Sequence, residues 1–229
     1  MRRCVSAGEA LPEEIGRRWS ERFGVEILDG LGSTEMLHIF LSNRPGAVRY
    51  GASGVPVPGY EIKLLDEDGN PVAPGEIGEL YVAGPTSAAM YWANRERSRG
   101  TFLGRWTRSG DKYVCDADGY YTYCGRADDM LKVGGVWVAP FEVEAALMTH
   151  EHVLEAAVVG HCDENRLVKP RAFVVLKPGA KASDALAEAL KAHVKSRLAP
   201  HKYPRWIEFL PELPKTATGK IQRFKLRAE

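Results

Sequence analysis

The spacing of apolar residues predicts a parallel α/β unit at the start of the chain. Residues 2–6 are predicted to form a short strand. Within residues 13–23 one set of apolar side chains recurs every four positions, namely Ile15, Trp19 and Phe23. This spacing is typical of a helix with a single apolar face. Gly24 ends the helix, and the apolar run at 25–28 is predicted to be a buried strand. A strand, a helix and a second strand in this order favour a parallel α/β unit.

A stretch rich in turns and short strands follows this unit. Residues 45–58 contain many glycines and prolines, which favours a loop. Strand-like runs at 60–65 and 79–83 are separated by turn sequences, and this order predicts an antiparallel β segment. Residues 94–101 are predicted to form a short polar helix, and the aromatic run after the turn at 116–119 a further strand. This part of the chain is therefore interpreted as a mixed sheet with a small β segment.

Residues 123–144 combine charged residues, paired glycines and an apolar run. Gly125 permits a turn of the backbone, and Gly134 with Gly135 predicts a tight turn between two short strands. Pro140 suits the first position of a helix, and apolar residues recur at helical spacing behind it. The segment is predicted to be a loop, a hairpin and a helix.

The remaining residues predict a small α+β module. Apolar or alternating runs at 153–160 and 167–176 indicate two strands, and the four-residue spacing of leucine and valine within 185–198 indicates an amphipathic helix. With the hairpin, this gives a module of about a hundred residues, enough for an independent core. The predicted fold class is thus α/β plus α+β. The predicted domains are residues 1–125 and 126–229, with a hinge at 125–129.

Composition excludes several classes of protein. The 229 residues include 31 Lys plus Arg and 30 Asp plus Glu, a net charge of +1, so we expect no binding of nucleic acid and no attraction to a membrane surface. No run of about eighteen apolar residues is present, and the N-terminus lacks the apolar core of a signal peptide. We therefore expect a cytoplasmic protein, with its four cysteines as free thiols.

The sequence Gly32-Ser33-Thr34-Glu35 follows the second predicted strand. A glycine turn that leads into a helix at this edge of an α/β sheet presents free N–H groups to phosphate. Thr34 could then donate its hydroxyl, and Glu35 could bind Mg²⁺ as a hard oxygen ligand. The alternative interpretation is a helix N-cap by Ser33 or Thr34 with Glu35 in the first turn. Taken alone, the motif favours the cap.

Two further motifs carry charge in loops. Asp111 follows Gly110 just before a predicted strand, where it could accept the two ribose hydroxyls of a nucleotide or serve as an ordinary turn residue. Lys220 follows Gly219 in a basic C-terminal segment and could present a point charge to a phosphate or a carboxylate. The alternative for Lys220 is a solvated basic tail.

Four motifs occur together in the order of one known family: GSTE at 32–35, TRSGD at 107–111, GRADDMLKVGG at 125–135 and KTATGK at 215–220. In these motifs the sequence resembles the adenylate-forming acyl- and aryl-CoA synthetases, and among them the benzoate-CoA ligases. The resemblance covers the whole chain. It implies that this is an AMP-forming acid–thiol ligase whose large domain carries the nucleotide site and whose small C-terminal domain moves.

The resemblance also implies roles for residues of the large domain. Gly32, Ser33 and Thr34 would contact the nucleotide, and Glu35 would bind Mg²⁺. The ribose hydroxyls would bind Asp111, with Arg126 beside it. His38 follows the GSTE motif and could approach the acid substrate.

In the small domain the resemblance implies three further roles. Asp128 would be the pivot of the moving domain. Lys220 would stabilise the charge that develops when a carboxylate attacks the α-phosphate of ATP. Gly134, Gly135 and Trp137 would line the channel for the pantetheine arm of coenzyme A.

The implied reaction joins an aromatic, benzoate-like acid to coenzyme A through an acyl-adenylate, with ATP, Mg²⁺ and coenzyme A as cofactors. Members of the family are more than twice as long and carry a Ser/Thr/Gly-rich phosphate loop before the region matched here. The resemblance thus implies a C-terminal fragment that needs the N-terminal portion of the same enzyme and is inactive alone. Two alternatives stay open: an adenylating enzyme that transfers its acyl group to a carrier protein, and a non-catalytic nucleotide-binding fragment.

Overall fold

The structure is a computed structural model that describes residues 2–217 and 219–227. The chain divides into two compact units, residues 1–127 and 128–229, which are described in turn. Among the described residues, no helix combines the length and the apolar character needed to cross a membrane.

The first unit begins with the predicted parallel unit. Its elements are β1 (Cys4–Ser6), α1 (Glu13–Phe23), β2 (Ile27–Gly32), β3 (Ile39–Ser42) and β4 (Val55–Pro56). The strands form one sheet in the order β1-β2-β3-β4, in which β1 and β2 are parallel and the other pairs antiparallel. The strand, helix and strand predicted from the apolar spacing are confirmed. The apolar face of α1 is only partly covered, since Ile15 and Phe23 are each about half exposed.

An antiparallel sheet completes the first unit. Its elements are β5 (Glu61–Leu65), β6 (Ile77–Ala83), α2 (Arg95–Thr101), β7 (Phe102–Leu103), β8 (Trp106–Cys115) and β9 (Tyr121–Arg126). The order is β5-β6-β8-β7, with β9 paired to β8. The predicted short helix is present, and the Asn94 side chain caps it by accepting from the Arg97 N–H. Buried residues of both sheets, including Phe40, Leu80 and Tyr113, form one core.

The prediction of a helix after the GSTE motif is wrong. A single turn forms at residues 33–36, and then Leu37 adopts a left-handed φ of +67°, which ends any helix. The chain continues as β3, because its Phe40 and Leu41 are completely buried in the core. Gly32 permits the pairing of β3 with β2, since a Cβ at this position would lie 2.7 Å from the His38 carbonyl oxygen. Tertiary pairing therefore overrides the local helix signal.

Two local predictions near the end of this unit are also corrected. Gly125 lies inside β9, so the strand continues to Arg126 and the turn begins at Ala127. Asp111 does not precede a strand, because β8 runs through it from Trp106 to Cys115. Both residues therefore sit on a paired backbone, which holds them more firmly than a loop would.

The second unit is the predicted α+β module with one further short helix. Its elements are β10 (Leu131–Val133), β11 (Val136–Val138), α3 (Pro140–Met148), β12 (Val153–Cys162), β13 (Val168–Leu176), α4 (Asp184–Lys195), β14 (Trp206–Phe209) and α5 (Arg223–Arg227). Strands β12 and β13 are antiparallel, and β14 is parallel to β13. Along β13, Ala172 and Val174 enter one core and Phe173 and Val175 another, so apolar side chains cover both faces of this sheet.

Candidate functional site

The GSTE motif forms the turn between β2 and β3. Gly32 ends β2, and Ser33 accepts a hydrogen bond on its hydroxyl from the Met36 N–H at 3.3 Å. Ser33 thus caps a single turn instead of a helix. Thr34 and His38 are exposed, and Glu35 is half-buried. The turn therefore presents a hydroxyl and an imidazole to solvent and holds its carboxylate closer to the protein.

Glu35 is held by the segment that leads into α2. The Tyr91 hydroxyl donates to Glu35 Oε1 at 2.5 Å, and the Ala88 N–H donates to the Glu35 carbonyl oxygen at 2.7 Å. Thr86 Oγ1 donates to the next carbonyl oxygen, that of Met36, at 2.6 Å. The side chain and the backbone of the turn are thus bound independently. Sequence reasoning did not find Tyr91, since it lies 56 positions from Glu35 in no recognised pattern.

The surroundings of Glu35 favour its charged form. Burial by itself raises the pKa of this carboxyl. Hydrogen bonds from Tyr91, from the Glu35 backbone N–H and from Ser33, with the positive charge of Arg97, outweigh burial and lower the pKa below its ordinary value. The turn therefore carries an ionised carboxylate at neutral pH. An ionised, half-exposed carboxylate fits the hard oxygen ligand that Mg²⁺ prefers.

Asp111 and Arg126 lie opposite each other on β8 and β9. Arg126 Nη1 lies 3.1 Å from Asp111 Oδ1 and also donates to the Ser109 carbonyl oxygen at 3.2 Å. Asp111 is buried, with 8% of its surface exposed, whereas the Arg126 side chain is about half exposed. The carboxylate assigned to the ribose by resemblance and the guanidinium assigned beside it are therefore neighbours in the first unit.

Asp29 is a buried carboxylate that sequence analysis did not single out. It lies on β2, three residues before Gly32, with 3% of its surface exposed. Its Oδ1 is buried and has no hydrogen-bond partner among the described residues. Burial raises the pKa of Asp29 from 3.8 to about 6, although N–H groups of Leu11 and Gly30 and the Ser6 hydroxyl oppose the shift.

We expect Asp29→Asn to stabilise the chain at pH 7. A carboxyl with a raised pKa in the folded state costs stability as pH rises from about 4 to about 6, since the folded state must then bury a charge. Above pH 6 this charge lowers the free energy of unfolding by roughly 2–3 kcal/mol relative to pH values below 4. Urea denaturation at pH 4 to 7 should therefore show the variant more stable at pH 7 and equal to the parent near pH 4.

Asp66→Asn is the matched control for this measurement. The pKa of Asp66 is lowered, first by the Asn70 backbone N–H, so its charged form is favoured in the folded state. This substitution should give no gain in stability at pH 7. Parallel pH profiles of the parent and the Asp29 variant would contradict the assignment of a buried charge to Asp29.

The paired glycines form the turn of the hairpin between β10 and β11. Gly134 and Gly135 have φ angles of +58° and +85°, in the left-handed region that favours glycine. A Cβ at Gly135 would meet no atom within 4 Å in this structure. Trp137 is half-buried on β11, and the Lys132 ammonium lies 5.1 Å from its ring centroid. The hairpin therefore has open space beside Gly135 in its turn and an aromatic side chain on β11.

The segment around Asp128 is bound by a side chain of helix α5. Asp128 is exposed, and Arg227 of α5 donates to its carbonyl oxygen at 3.3 Å. Arg227 also forms an ion pair with Asp129. Sequence analysis did not find this contact, because the partners are 99 and 98 positions apart.

Lys220 is exposed at the end of a small closed turn. The Thr216 N–H donates to the Lys220 carbonyl oxygen at 2.8 Å, and the Lys220 N–H donates to Thr216 Oγ1 at 3.1 Å. The neighbouring residues Lys215 and Ile221 form a β-bridge. Residue 218 of this motif lies outside the described residues. The described part of the motif shows that Lys220 leaves a closed turn and is not part of an extended tail.

The described residues contain no group of three or more His, Cys, Asp or Glu side chains that could hold a metal ion. Glu35 would therefore bind a cation as a single carboxylate. Mg²⁺ is commonly bound through one or two carboxylates, with water and substrate phosphates as its other ligands. The residues present fit that arrangement.

Comparison with known proteins identifies the class. The sequence profile of AMP-binding enzymes matches residues 1–92, and that of the AMP-binding enzyme C-terminal domain matches residues 142–220. The chain therefore belongs to the family of AMP-binding, adenylate-forming enzymes, and its mixed α/β fold is that of the solved members it resembles.

Three relatives define the similarity more closely. The chain is 66% identical to benzoate–CoA ligase of Thauera aromatica, over 100% of this chain and 44% of that protein. It is 66% identical to the crystallised benzoate CoA ligase of Burkholderia xenovorans LB400, with a TM-score of 0.94 over 99% of this chain and 45% of that one. An anthranilate CoA ligase crystallised with anthranoyl-AMP is 56% identical. Its TM-score is 0.96, over 100% of this chain and 44% of that one. The chain thus spans less than half the length of these relatives.

Proposed function

We propose that the chain is the C-terminal part of an aryl acid–CoA ligase. The enzyme activates an aromatic carboxylic acid with ATP to an acyl-adenylate and then transfers the acyl group to coenzyme A. The observation that carries this proposal is the Glu35 carboxylate, which accepts a hydrogen bond from Tyr91 on the turn after β2, in a chain 66% identical to a benzoate–CoA ligase. The geometry fits a nucleotide site, and the relatives indicate the chemistry that uses it.

The first unit is proposed to hold the nucleotide. Glu35 would hold Mg²⁺, and the ion would supply positive charge to the phosphates. Gly32, Ser33 and Thr34 contact the phosphates at the same turn. Asp111 accepts the ribose hydroxyls, a role supported by its burial and by its place on a rigid strand beside Arg126. These groups bind and orient ATP, and orientation accounts for a large part of catalysis in such transfers.

The second unit is proposed to serve the two half-reactions in turn. In the first, an oxygen of the acid attacks the α-phosphorus and pyrophosphate leaves, while Lys220 stabilises the developing negative charge. In the second, the thiol of coenzyme A loses its proton, its sulfur attacks the acyl carbon, and AMP leaves. Gly134, Gly135 and Trp137 line the path of the thiol arm. Asp128, within the proposed hinge at 125–129, is the pivot between the two arrangements.

The acid substrate is proposed to be aromatic and benzoate-like. Benzoate and anthranilate appear in the names of the three relatives, and both are aromatic acids with a carboxylate on the ring. His38 is the residue of this chain assigned to the acid, because it is exposed three residues after Glu35 of the GSTE motif. The 229 residues alone are expected to be inactive.

The test is benzoate-dependent release of AMP by the full-length protein that carries this chain, with and without coenzyme A. We expect AMP release to require coenzyme A, and benzoyl-CoA to form in equal amount. Release that requires an acyl carrier protein instead would support the carrier alternative. Nucleotide binding without any acid-dependent pyrophosphate release would overturn the proposed activity.

Tyr91→Phe provides a test of the site around Glu35. This change removes one hydrogen bond from the carboxylate, while the Ala88 and Thr86 contacts continue to place the turn. Loss of a group that orients a metal ligand typically weakens metal binding by about 10-fold or more. We therefore expect the Mg²⁺ concentration for half-maximal adenylation to rise about 10-fold, with little change in the rate at saturating Mg²⁺.

A direct binding measurement should accompany that assay. Mn²⁺ binding with a non-hydrolysable ATP analogue, followed by electron paramagnetic resonance, should weaken by the same factor. Tyr120→Phe is the control, since its hydroxyl donates to the Ala47 carbonyl oxygen at 2.9 Å in the same unit. Unchanged metal binding in the Tyr91 variant would exclude this role for the Tyr91 hydroxyl.

A further inference from the structure

A buried ion pair joins helix α3 to the segment that carries Lys220. Arg223 Nη2 lies 2.9 and 2.8 Å from the two carboxylate oxygens of Glu144, and Arg223 Nε lies 3.2 Å from Oε1. Glu144 is almost completely buried, with 3% of its surface exposed, and the Arg223 side chain is 19% exposed. The Val158 N–H of β12 also donates to Glu144 Oε1, at 2.8 Å. One carboxylate thus connects α3, β12 and the start of α5.

Arg223 follows Lys220 by three residues, so the buried ion pair includes a residue that is close to Lys220 along the backbone. Between them, the Gln222 N–H donates to the Pro214 carbonyl oxygen at 2.8 Å, and Ile221 packs against a core that includes Leu226. The chain therefore has little freedom between the buried pair and Lys220. A displacement of Arg223 would move the backbone that presents the lysine.

A second, weaker contact holds the other end of the same turn. Lys215 Nζ lies 2.6 Å from Glu155 Oε1 on β12, and both side chains are 36% exposed. A pair exposed to this degree contributes little to stability, because solvent screens the attraction between its charges. The turn that carries Lys220 is therefore fixed mainly by the buried contact of Arg223 and less by the exposed contact of Lys215.

The stability of the second unit does not by itself require an ion pair between Glu144 and Arg223. Replacing a buried ion pair by apolar residues of similar volume is often neutral or stabilising, because desolvation opposes the attraction between the charges. A bidentate contact between a guanidinium and a carboxylate also sets direction, since its hydrogen bonds require one relative orientation. The backbone N–H of Val158 orients the carboxylate in turn. The arrangement is therefore suited to placing a neighbouring group accurately.

We propose that Glu144 and Arg223 are positioning residues that hold Lys220 in place for the adenylation half-reaction. The inference rests on the proposed function in the role given to Lys220. Neither residue touches the substrate in this proposal. They act through the backbone of residues 220–223.

The experiment compares stability with the two half-reactions in the full-length enzyme. The variants are Glu144→Met, Arg223→Met and the double variant that carries both. Hydrogen exchange of the β12–β13 peptides reports the stability of the second unit, with the β5–β6 peptides as an internal reference. Acid-dependent pyrophosphate release reports adenylation, and thioester formation from supplied benzoyl-AMP reports the second half-reaction.

We expect each single variant to lose protection in β12–β13, because it leaves a buried group without its partner. The double variant should regain that protection but stay about 10- to 100-fold slower in adenylation, with thioester formation within about threefold of the parent. Lys215→Ala is the control at the other end of the turn and should change adenylation by less than about fivefold.

Two results would overturn the inference. The first is a double variant that recovers adenylation together with stability, since the pair would then be only structural. The second is a double variant that loses both half-reactions equally. Failure of the proposed function is separate, because the parent enzyme itself would then release no pyrophosphate in response to acid.

Discussion

Lys220→Ala is expected to slow acyl-adenylate formation by about 10²- to 10³-fold in the full-length enzyme. The proposed reason is that the ammonium group stabilises negative charge on the α-phosphate as the acid oxygen attacks. Lys220 is exposed and its backbone is closed into a turn with Thr216, so its loss should not disturb the core of the second unit. Thioester formation from supplied benzoyl-AMP should change little, because the charge on phosphate has already been introduced by then.

The measurement separates the half-reactions, with acid-dependent pyrophosphate release for the first and benzoyl-CoA formation from benzoyl-AMP for the second. Lys225→Ala is the matched control, since it removes an exposed lysine five residues further along the same basic segment. The control should keep both activities. An equal loss of both half-reactions in the Lys220 variant would refute the assignment, as would an equal loss of adenylation in the two variants.

Gly135→Leu is expected to give the reverse pattern. Thioester formation should fall by about 10²-fold or more, since a side chain beside the hairpin turn would displace the thiol arm from the acyl carbon. A Cβ at Gly135 would meet no atom within 4 Å, so the first atom of the new side chain does not clash inside the hairpin. Its local cost is the left-handed φ of +85°, which disfavours a residue with a Cβ by about 1–2 kcal/mol. Adenylation should be retained.

Gly179→Leu controls for that strain. Gly179 has a φ of +91°, and a Cβ there also meets nothing within 4 Å, but the residue lies in the turn between β13 and α4. This variant should keep both half-reactions with a similar loss of stability. If both glycine variants slow thioester formation equally, strain and not the thiol path explains the effect.

Local patterns were sufficient for most elements. The four-residue spacing within 13–23 predicts α1, the same spacing predicts α4, and the turn at Gly134 and Gly135 predicts the β10–β11 hairpin. The pattern of each of these elements is complete within a short stretch, so its signal is local, even where its apolar residues pack against distant strands, as Leu190 and Val194 of α4 do. The helix expected after Glu35 failed for the opposite reason. Phe40 and Leu41 of that stretch are buried by a sheet whose partner strand the local pattern does not specify.

The candidate site also combines features that are visible in local sequence patterns with contacts that are not. Thr34, Glu35, Asp111 and Lys220 are recognisable in the sequence because each belongs to a short motif. The contacts of Glu35, and the proposed positioning of Lys220, depend on pairs of residues that are far apart in the sequence. Tyr91 reaches Glu35 across 56 residues, and Arg223 reaches Glu144 across 79. Neither partner lies in a motif that names its contact.

The sequence by itself predicted a two-part architecture, the family, and the residues to which the proposed chemistry is assigned, because these predictions depend on local periodicity and on motifs in a set order. Only the tertiary structure decided that Glu35 lies on a hairpin turn, that hydrogen bonds lower the pKa of its carboxyl, and that the buried Asp29 Oδ1 has no hydrogen-bond partner among the described residues. The physical reason is that protonation, burial and orientation depend on groups brought together by folding, whereas a motif records only its own residues.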